Sequence, residues 1–245
     1  MIAAFRTALA LLFVMISTPL GALVGFPWTW TTGSADVLYA IAMWIARNGL
    51  RLAGVRIQVE GRERINPAET YIFMCNHVSN LDPPILMPMI PRRSSVLVKK
   101  ELFQVPILGR AMRLGELVAV DRRNREAAVN SMREAEEVMA RGLNMTVFPE
   151  GTRSRDGRLL PFKKGPFYLA MDSGIPVVPI TILGSESLMP KGSALIHSGT
   201  VRLVFHAPIL PKQFQDHDEL ISAVRGEIAF ALPPALREAD LDSAS

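Results

Sequence analysis

The feature that most constrains this chain is a run without any charged residue between Arg6 and Asp36. Residues 8–24 of this run are almost wholly apolar, and Trp28 and Trp30 follow where aromatic side chains typically mark a membrane–water interface. Helices in the core of a soluble protein rarely lack charge over such a length. The run therefore predicts a helix that associates with a membrane.

A second hydrophobic segment follows at residues 37–55 and has a different pattern. It places Arg47, Asn48 and Arg51 on one helical face, which suits a helix lying at a membrane surface. Basic residues flank the two segments on the outside and are absent from the connection between them. This distribution favours a hairpin with both ends on the cytoplasmic side. The expected location is a bacterial-type inner membrane, with the catalytic domain on its cytoplasmic face. We therefore expect residues 1–54 to form a membrane-associated helical hairpin, either spanning or embedded in one leaflet.

Two other interpretations of the N-terminal segments remain open. One is a cleaved signal peptide, because a single Arg precedes an apolar stretch that ends in small residues around Gly21 and Ala22. The other is a buried hairpin in the core of a soluble protein. The length of the apolar run and the second hydrophobic segment close behind it favour the membrane hairpin over both.

Composition limits what the rest of the chain can be. With 245 residues, of which 49% are hydrophobic, it can bury one sizeable core, so residues 55–245 are expected to form a single domain. Cys75 is the only cysteine, which excludes an intrachain disulfide. Residues 91–164 hold 16 Lys and Arg against 9 Asp and Glu. That excess favours an anionic head group or membrane surface, whereas basic and aromatic residues are not interleaved as in nucleic-acid-binding modules.

Strand and helix patterns alternate through this domain. Strands are predicted at 55–61, 71–75, 95–98, 117–120, 145–148, 175–182 and 201–205, the first of them exposed or at a sheet edge. Helices are predicted at 83–90, 124–141, 163–173 and 218–232, with loop between residues 103 and 116. The alternation predicts the α/β class, with a mixed sheet flanked by helices and functional residues at strand ends.

The motif from Cys75 to Pro84 is the first candidate for chemistry. His77 follows an apolar strand, and Asp82 precedes Pro83 and Pro84 as the expected N-cap of a helix. A carboxylate that accepts a hydrogen bond from one imidazole nitrogen fixes the tautomer and makes the other nitrogen more basic. His77 and Asp82 are therefore the candidate catalytic residues, as a base able to take a proton from an alcohol.

A second motif, from Phe148 to Ser154, also follows a strand directly. Glu150 is expected to accept a hydrogen bond from a substrate hydroxyl, and Thr152 is able to donate one. Gly151 lets the backbone approach a ligand, and the guanidinium of Arg153 suits a phosphate group.

Four blocks in order give the chain a specific resemblance to the glycerolipid acyltransferase family typified by 1-acyl-glycerol-3-phosphate acyltransferases. They are Asn76-His77 with Asp82, residues 100–122, residues 148–154 and residues 175–179. Together they span about half of the chain, and no motif position departs from the family pattern. Family members also resemble this chain in having an N-terminal membrane-associated hairpin.

The resemblance implies transfer of a fatty acyl group from acyl-CoA or acyl-ACP to the free hydroxyl of lysophosphatidic acid, giving phosphatidic acid. It implies that His77 is the general base and that Asp82 orients it. It also implies that Glu150 and Gly151 hold the glycerol part of the acceptor. The remaining substrate-binding residues are Thr152, with Arg153, Arg122 and Lys100 on the acceptor phosphate. No cofactor and no metal are expected, and the expected partners are membrane lipids and the two substrates.

Three alternatives remain at this stage. Cys75 lies two residues before His77 on the same face of a continuing strand, so a Cys–His acyl-enzyme route is conceivable. The acceptor is also open, with glycerol-3-phosphate, another lysophospholipid or a lyso-aminolipid in place of lysophosphatidic acid. A protein of another class, a non-catalytic lipid-binding membrane protein, is the third.

Overall fold

A computed structural model describes residues 1–121, 125–190 and 192–237, with the backbone alone at 125–128. The N-terminal helices are α1 (Ile2–Thr32) and α2 (Asp36–Leu52). The strands are β1 (Val55–Glu60), β2 (Ile72–Cys75), β3 (Ser94–Lys99), β4 (Val118–Val120), β5 (Asn144–Val147), β6 (Val177–Leu183) and β7 (Gly199–Phe205). The remaining helices are α3 (Asp82–Leu86), α4 (Leu108–Leu114), α5 (Arg125–Ala140), α6 (Gly165–Ser173), α7 (Ser185–Leu188) and α8 (His217–Ala231).

The strands form one sheet in the order β1-β7-β6-β2-β5-β3-β4. Neighbouring strands run parallel except for the antiparallel pair β6 and β7. Helices cover both faces, so the central strands are buried on each side and need continuous apolar sequence. Every residue of β2 and β5 is buried. The mixed α/β sheet predicted from the sequence is confirmed.

Strand β1 differs from the central strands because it lies at an edge of the sheet. Its residues alternate between more buried and more exposed positions, from Val55 onward. This confirms the prediction of an edge strand, which rested on the same alternation in the sequence.

Helices α1 and α2 form the predicted hairpin and approach each other closely. A Cβ added at Gly21 would lie 2.6 Å from Ile41 Cγ2, and one added at Gly25 would lie 2.7 Å from Leu38 Cδ1. Small residues one helical turn apart let two helices pack at short range, as in membrane helix pairs. Most of the large apolar side chains of α1 remain exposed, and by length and composition this helix is able to cross a membrane.

The hairpin lies along the α/β domain and contacts it at both ends. Near its N-terminus the Thr7 hydroxyl accepts a hydrogen bond from the Ile196 N–H at 2.9 Å. At the turn end Asp36 pairs with Arg93 at 3.0 Å, and the Arg110 guanidinium lies 4.8 Å from the centre of the Trp30 ring. These contacts fix both ends of the hairpin against the domain.

Two local predictions were wrong. Asp82 is the first residue of α3 and Leu81 is its N-cap, because the Asp82 carboxylate accepts from the N–H groups of Val78 and Ser79, which precede the helix. The segment predicted as loop contains the seven-residue helix α4, which begins after Ile107 at a φ of 62° and is too short to give a clear periodic pattern. Asn124, the first residue of the helix predicted at 124–141, lies outside the described residues.

Candidate active site

The candidate site lies at the carboxyl edge of three adjacent parallel strands. In the sheet β2 lies between β6 and β5, and all three point the same way. His77 follows β2, Glu150 follows β5 and Ser185 follows β6. Residues from three separate parts of the sequence therefore meet at one edge, which is where α/β sheets usually bind their ligands.

His77 and Asp82 form a direct hydrogen bond. The His77 Nδ1 and Asp82 Oδ2 atoms are 2.8 Å apart, with Asp82 fully buried and His77 only 9% exposed. An ionised carboxylate only accepts hydrogen bonds, so the proton of the neutral imidazole lies on Nδ1. Nε2 then carries the lone pair and is the atom able to take a proton.

The Asp82 carboxylate is held by further donors. Oδ2 also accepts from the backbone N–H groups of Val78 and Ser79, each at 2.8 Å, and Oδ1 accepts from the Ser185 hydroxyl at 2.6 Å. The Asn76 side chain adds an anchor, because its amide bonds to both the N–H and the carbonyl of Ile182 in β6. The loop from residue 76 to residue 82 is therefore fixed to the sheet at its start and to the carboxylate at its end.

Glu150 lies in a tight turn after β5 and is almost fully buried. The turn closes with the Gly151 N–H bonding to the Phe148 carbonyl, and Gly151 has a φ of 70° that favours glycine. Burial raises the pKa of the Glu150 carboxyl to about 8, opposed by the two backbone N–H groups that it accepts. Those groups belong to His77 at 2.6 Å and Leu160 at 2.9 Å.

This placement differs from the expectation for Glu150. Both of its carboxyl oxygens already bond to backbone, so the structure gives no support to a direct contact with an acceptor hydroxyl. Instead the Glu150 carboxyl group ties the backbone of the loop from residue 76 to residue 82 to the second motif. The Ser154 N–H donates to the His77 carbonyl at 2.8 Å, and the Phe148 ring packs 4.2 Å from the His77 ring. The two motifs are thus one unit.

The basic candidates lie on the other side of this unit. Lys100 follows β3, its side chain is 54% exposed, and it pairs with Asp121 at the end of β4. Thr152 is exposed and Arg153 is half-buried, directly after the Glu150 turn. Arg122 lies outside the described residues. The strand order places β3 and β4 beyond β5, so Lys100 lies on the Glu150 side of the edge, where Arg153 adds a second cationic side chain.

The Cys75 side chain is enclosed by the core. It is fully buried in the hydrophobic core, and its thiol donates a long hydrogen bond to the Val147 carbonyl at 3.8 Å. Burial raises the pKa of the Cys75 thiol well above its ordinary value, with the nearby carboxylates of Asp82 and Glu150 adding to the shift. A protonated, enclosed thiol is poorly suited to nucleophilic attack.

The sequence did not single out Ser185 or Asn76 as members of the site. Asn76 stood inside the motif, and a polar residue directly after a buried strand was an available signal. Ser185 is in a short helix after β6 and carried no signal of its own, since its role depends on the adjacency of β6 and β2. In the part of the chain that is described, no three His, Cys, Asp or Glu side chains come together as a metal site.

The Acyltransferase family model matches residues 56–183, which is more than half of the chain. The matched region contains His77, Asp82 and Glu150, and the chain therefore belongs to this acyltransferase family. The resemblance drawn from the four motif blocks is confirmed.

Particular relatives are similar over most of the chain. The 1-acyl-sn-glycerol-3-phosphate acyltransferase of Cocos nucifera is 32% identical over 86% of this chain and 68% of its own length. The chloroplastic BAT2 enzyme of that name from Brassica napus is 35% identical over 71% of this chain and 50% of its own length. The crystal structure of the 1-acyl-sn-glycerophosphate (LPA) acyltransferase PlsC from Thermotoga maritima superposes with a TM-score of 0.78. At 28% identity, it covers 92% of this chain and 94% of that one.

Proposed function

We propose that this protein transfers a fatty acyl group from a thioester donor to the free hydroxyl of lysophosphatidic acid, giving phosphatidic acid. The observation that carries the proposal is the buried hydrogen bond of 2.8 Å between His77 Nδ1 and Asp82 Oδ2, which leaves Nε2 as a base. The names of the relatives support the choice of acceptor.

The chemistry needs a base and correct positioning. His77 Nε2 takes the proton of the acceptor hydroxyl as its oxygen attacks the thioester carbonyl. The C–O ester bond forms, the C–S bond breaks, and the departing thiolate takes the proton back from the imidazolium. A thioester is already activated, so no covalent acyl-enzyme is required. The buried, protonated thiol of Cys75 supports this direct route.

The basic side of the edge suits the phosphate of the acceptor. Arg153 lies in the turn that follows Glu150, and we assign it and Arg122 to the phosphate, with Lys100 assisting. The backbone at Gly151 and the Thr152 hydroxyl lie near the glycerol part in this assignment. Glu150 acts indirectly here, because its carboxylate holds the backbone N–H of His77.

The hairpin suits an acceptor that is itself a lipid. The exposed apolar face of α1 embeds in the membrane, and the contacts at both hairpin ends hold the domain against that surface. We infer that the domain faces the cytoplasm at a bacterial-type inner membrane, where a soluble donor, acyl-CoA or acyl-ACP, reaches it. No cofactor enters the proposed reaction.

The test is acyl transfer from a labelled acyl thioester to lysophosphatidic acid in detergent, comparing the natural protein with His77→Ala. We expect labelled phosphatidic acid from the natural protein, and a loss of kcat of about 100- to 10,000-fold in the variant. His197→Ala provides the control, since His197 lies in an exposed loop.

Assays with other acceptors separate the alternative functions. Product with glycerol-3-phosphate or another lysophospholipid, and none with lysophosphatidic acid, would change the assigned acceptor and leave the proposed mechanism unchanged. If the protein binds lipid vesicles but neither transfers the acyl group to any acceptor nor hydrolyses the thioester, a non-catalytic lipid-binding protein is favoured.

A further inference from the structure

Ser185 is the first residue of α7 and touches the catalytic pair from the neighbouring strand. Its hydroxyl donates to Asp82 Oδ1 at 2.6 Å, and both residues are fully buried. We propose that Ser185 is a positioning residue that holds the Asp82 carboxylate in the orientation that His77 needs. The inference rests on the proposed acyl transfer and adds a third member to its His–Asp pair.

The two oxygens of Asp82 are held unequally. Oδ2 has three donors, which are His77 Nδ1 and the backbone N–H groups of Val78 and Ser79. Oδ1 accepts from Ser185, and no second donor reaches that oxygen within the described part of the chain. Because Ser185 and Asp82 are both fully buried, water does not replace a lost hydroxyl there without a rearrangement.

The orientation of the carboxylate plane depends on both oxygens. Rotation about the Cβ–Cγ bond moves both oxygens together, and the donors at Oδ2 resist it from one side only. The Ser185 hydroxyl at Oδ1 resists the same rotation from the other side, so the lone pair of Oδ2 stays directed at His77 Nδ1. Without the Ser185 hydroxyl, Asp82 Oδ1 has no partner in an apolar site. The carboxylate then turns to bring Oδ1 towards other donors, and this weakens the hydrogen bond between Oδ2 and His77.

Ser185 is suited to this task because it is anchored independently of the catalytic loop. It follows Gly184, whose φ of 91° and close approach to the Thr200 carbonyl in β7 fix the start of α7 to the sheet. At the other end of α7 the Met189 carbonyl accepts from the Ser79 hydroxyl at 2.9 Å. The segment 184–189 thus bonds to the loop from residue 77 to residue 82 at two points, through Ser185 and Met189.

The same helix provides a matched control. Ser187 lies two residues further on, is exposed, and donates its hydroxyl to the Gly184 carbonyl at 2.8 Å. Its hydroxyl has no contact with the catalytic pair. Ser185→Ala and Ser187→Ala remove the same atom from the same helix, and only the first removes a donor to Asp82.

Steady-state transfer to lysophosphatidic acid tests the proposal. We expect Ser185→Ala to lower kcat by about 10- to 100-fold, the effect of one lost buried hydrogen bond, with KM changed by less than about twofold. Ser187→Ala should keep the natural kcat. Ser185→Thr, which retains the hydroxyl, should recover most of the loss, whereas Ser185→Cys, of similar volume but a weak donor, should not.

A double-mutant cycle separates positioning from general stabilisation. If Ser185 acts through Asp82, adding Ser185→Ala to Asp82→Ala should change the residual kcat by less than about twofold. An unchanged kcat in Ser185→Ala, full activity in Ser185→Cys, or an undiminished effect in the Asp82→Ala background would each overturn the proposal. If Ser185→Ala does not fold, the Thr and Cys pair gives the same decision. Failure of the proposed function itself is distinct, since the natural protein would then form no product.

Discussion

The carboxyl edge of the sheet is built in two contrasting ways. At β6, β2 and β5 the polar side chains of Ser185, Asp82 and Glu150 are buried and bonded to backbone or to one another. At β3 and β4 the polar side chains are charged and lie nearer the surface, where Lys100, 54% exposed, pairs with Asp121. The half-buried Arg153, which follows the Glu150 turn, belongs to this charged side of the edge. Between β5 and β3 the edge changes character. We call the buried, internally bonded part the dry half and the more exposed part, with Lys100 and Arg153, the wet half.

The difference matches two different tasks in the proposed reaction. A base must keep its tautomer and direction within a narrow range, which short buried side chains with fixed partners achieve. A phosphate on a lipid acceptor arrives by diffusion along a membrane, and exposed cations attract it without a rigid pocket. We expect substitutions in the dry half to lower kcat and substitutions in the wet half to raise KM.

Asp82→Asn should lower turnover more than any other substitution in either half except loss of His77 itself. The amide has one acceptor oxygen and places an NH₂ group among donors, so His77 is pushed to the tautomer with its proton on Nε2. We expect kcat to fall about 1,000-fold with little change in KM, as for loss of general-base catalysis. Asp172→Asn on the exposed surface of α6 is the control. A raised KM with a normal kcat would contradict the division into two halves.

Arg153→Ala should act in the opposite way. Loss of a charge-assisted contact to phosphate costs about 2–3 kcal/mol, so KM for lysophosphatidic acid should rise about 30- to 150-fold. The kcat should change little, and transfer to monoacylglycerol, which lacks the phosphate, should be unaffected. Arg155→Ala, two residues further along and exposed, is the matched control. An equal loss with both acceptors would remove Arg153 from phosphate binding.

The sequence revealed much of the dry half because its parts are local. The strand before His77 and the five-residue spacing to Asp82 lie in one motif, and the apolar runs of the central strands are visible without a structure. The link between Glu150 and the His77 backbone was not visible, because it depends on β2 and β5 being neighbours. The same holds for Ser185 and β6.

The hairpin shows a similar limit. The charge-free run predicted an apolar helix, and α1 confirms a helix long enough to cross a membrane. The contacts of Asp36 with Arg93 and of Arg110 with Trp30 join residues far apart in sequence. Pairings of exposed charged and aromatic side chains have no periodicity from which to predict them.

Glu150→Gln tests whether the dry half depends on a buried carboxyl that binds a proton on folding. The pKa of Glu150 in the folded protein, about 8, lies above its ordinary value of 4.5. The folded state therefore binds more protons than the unfolded state between these values, and stability falls as pH rises through this window. The slope contributed by this group is at most about 1.4 kcal/mol per pH unit.

Denaturant unfolding in detergent at pH 5, 6, 7 and 8 measures this contribution. Glu150→Gln should be less stable at pH 5, because its NH₂ group faces a backbone N–H, and should have a flatter dependence on pH. Its kcat should fall about tenfold, because His77 loses a fixed backbone contact. Glu63→Gln, at an exposed site, should keep the natural slope. If the free energy of unfolding depends on pH with the same slope in the natural protein and in Glu150→Gln, Glu150 does not bind a proton on folding.

Cys75→Ala should give the smallest effect, although the residue lies two positions from His77. Its thiol is enclosed in the core and remains protonated, so it belongs to the packing of the dry half and not to its chemistry. We expect kcat to stay within about twofold and stability to fall by about 1 kcal/mol from the small cavity. Because this is the only cysteine, labelled donor mixed with protein in the absence of acceptor gives an unambiguous test. Label on the natural protein that is absent from Cys75→Ala would mean that Cys75 forms an acyl-enzyme. The dry half would then supply a nucleophile as well as a base.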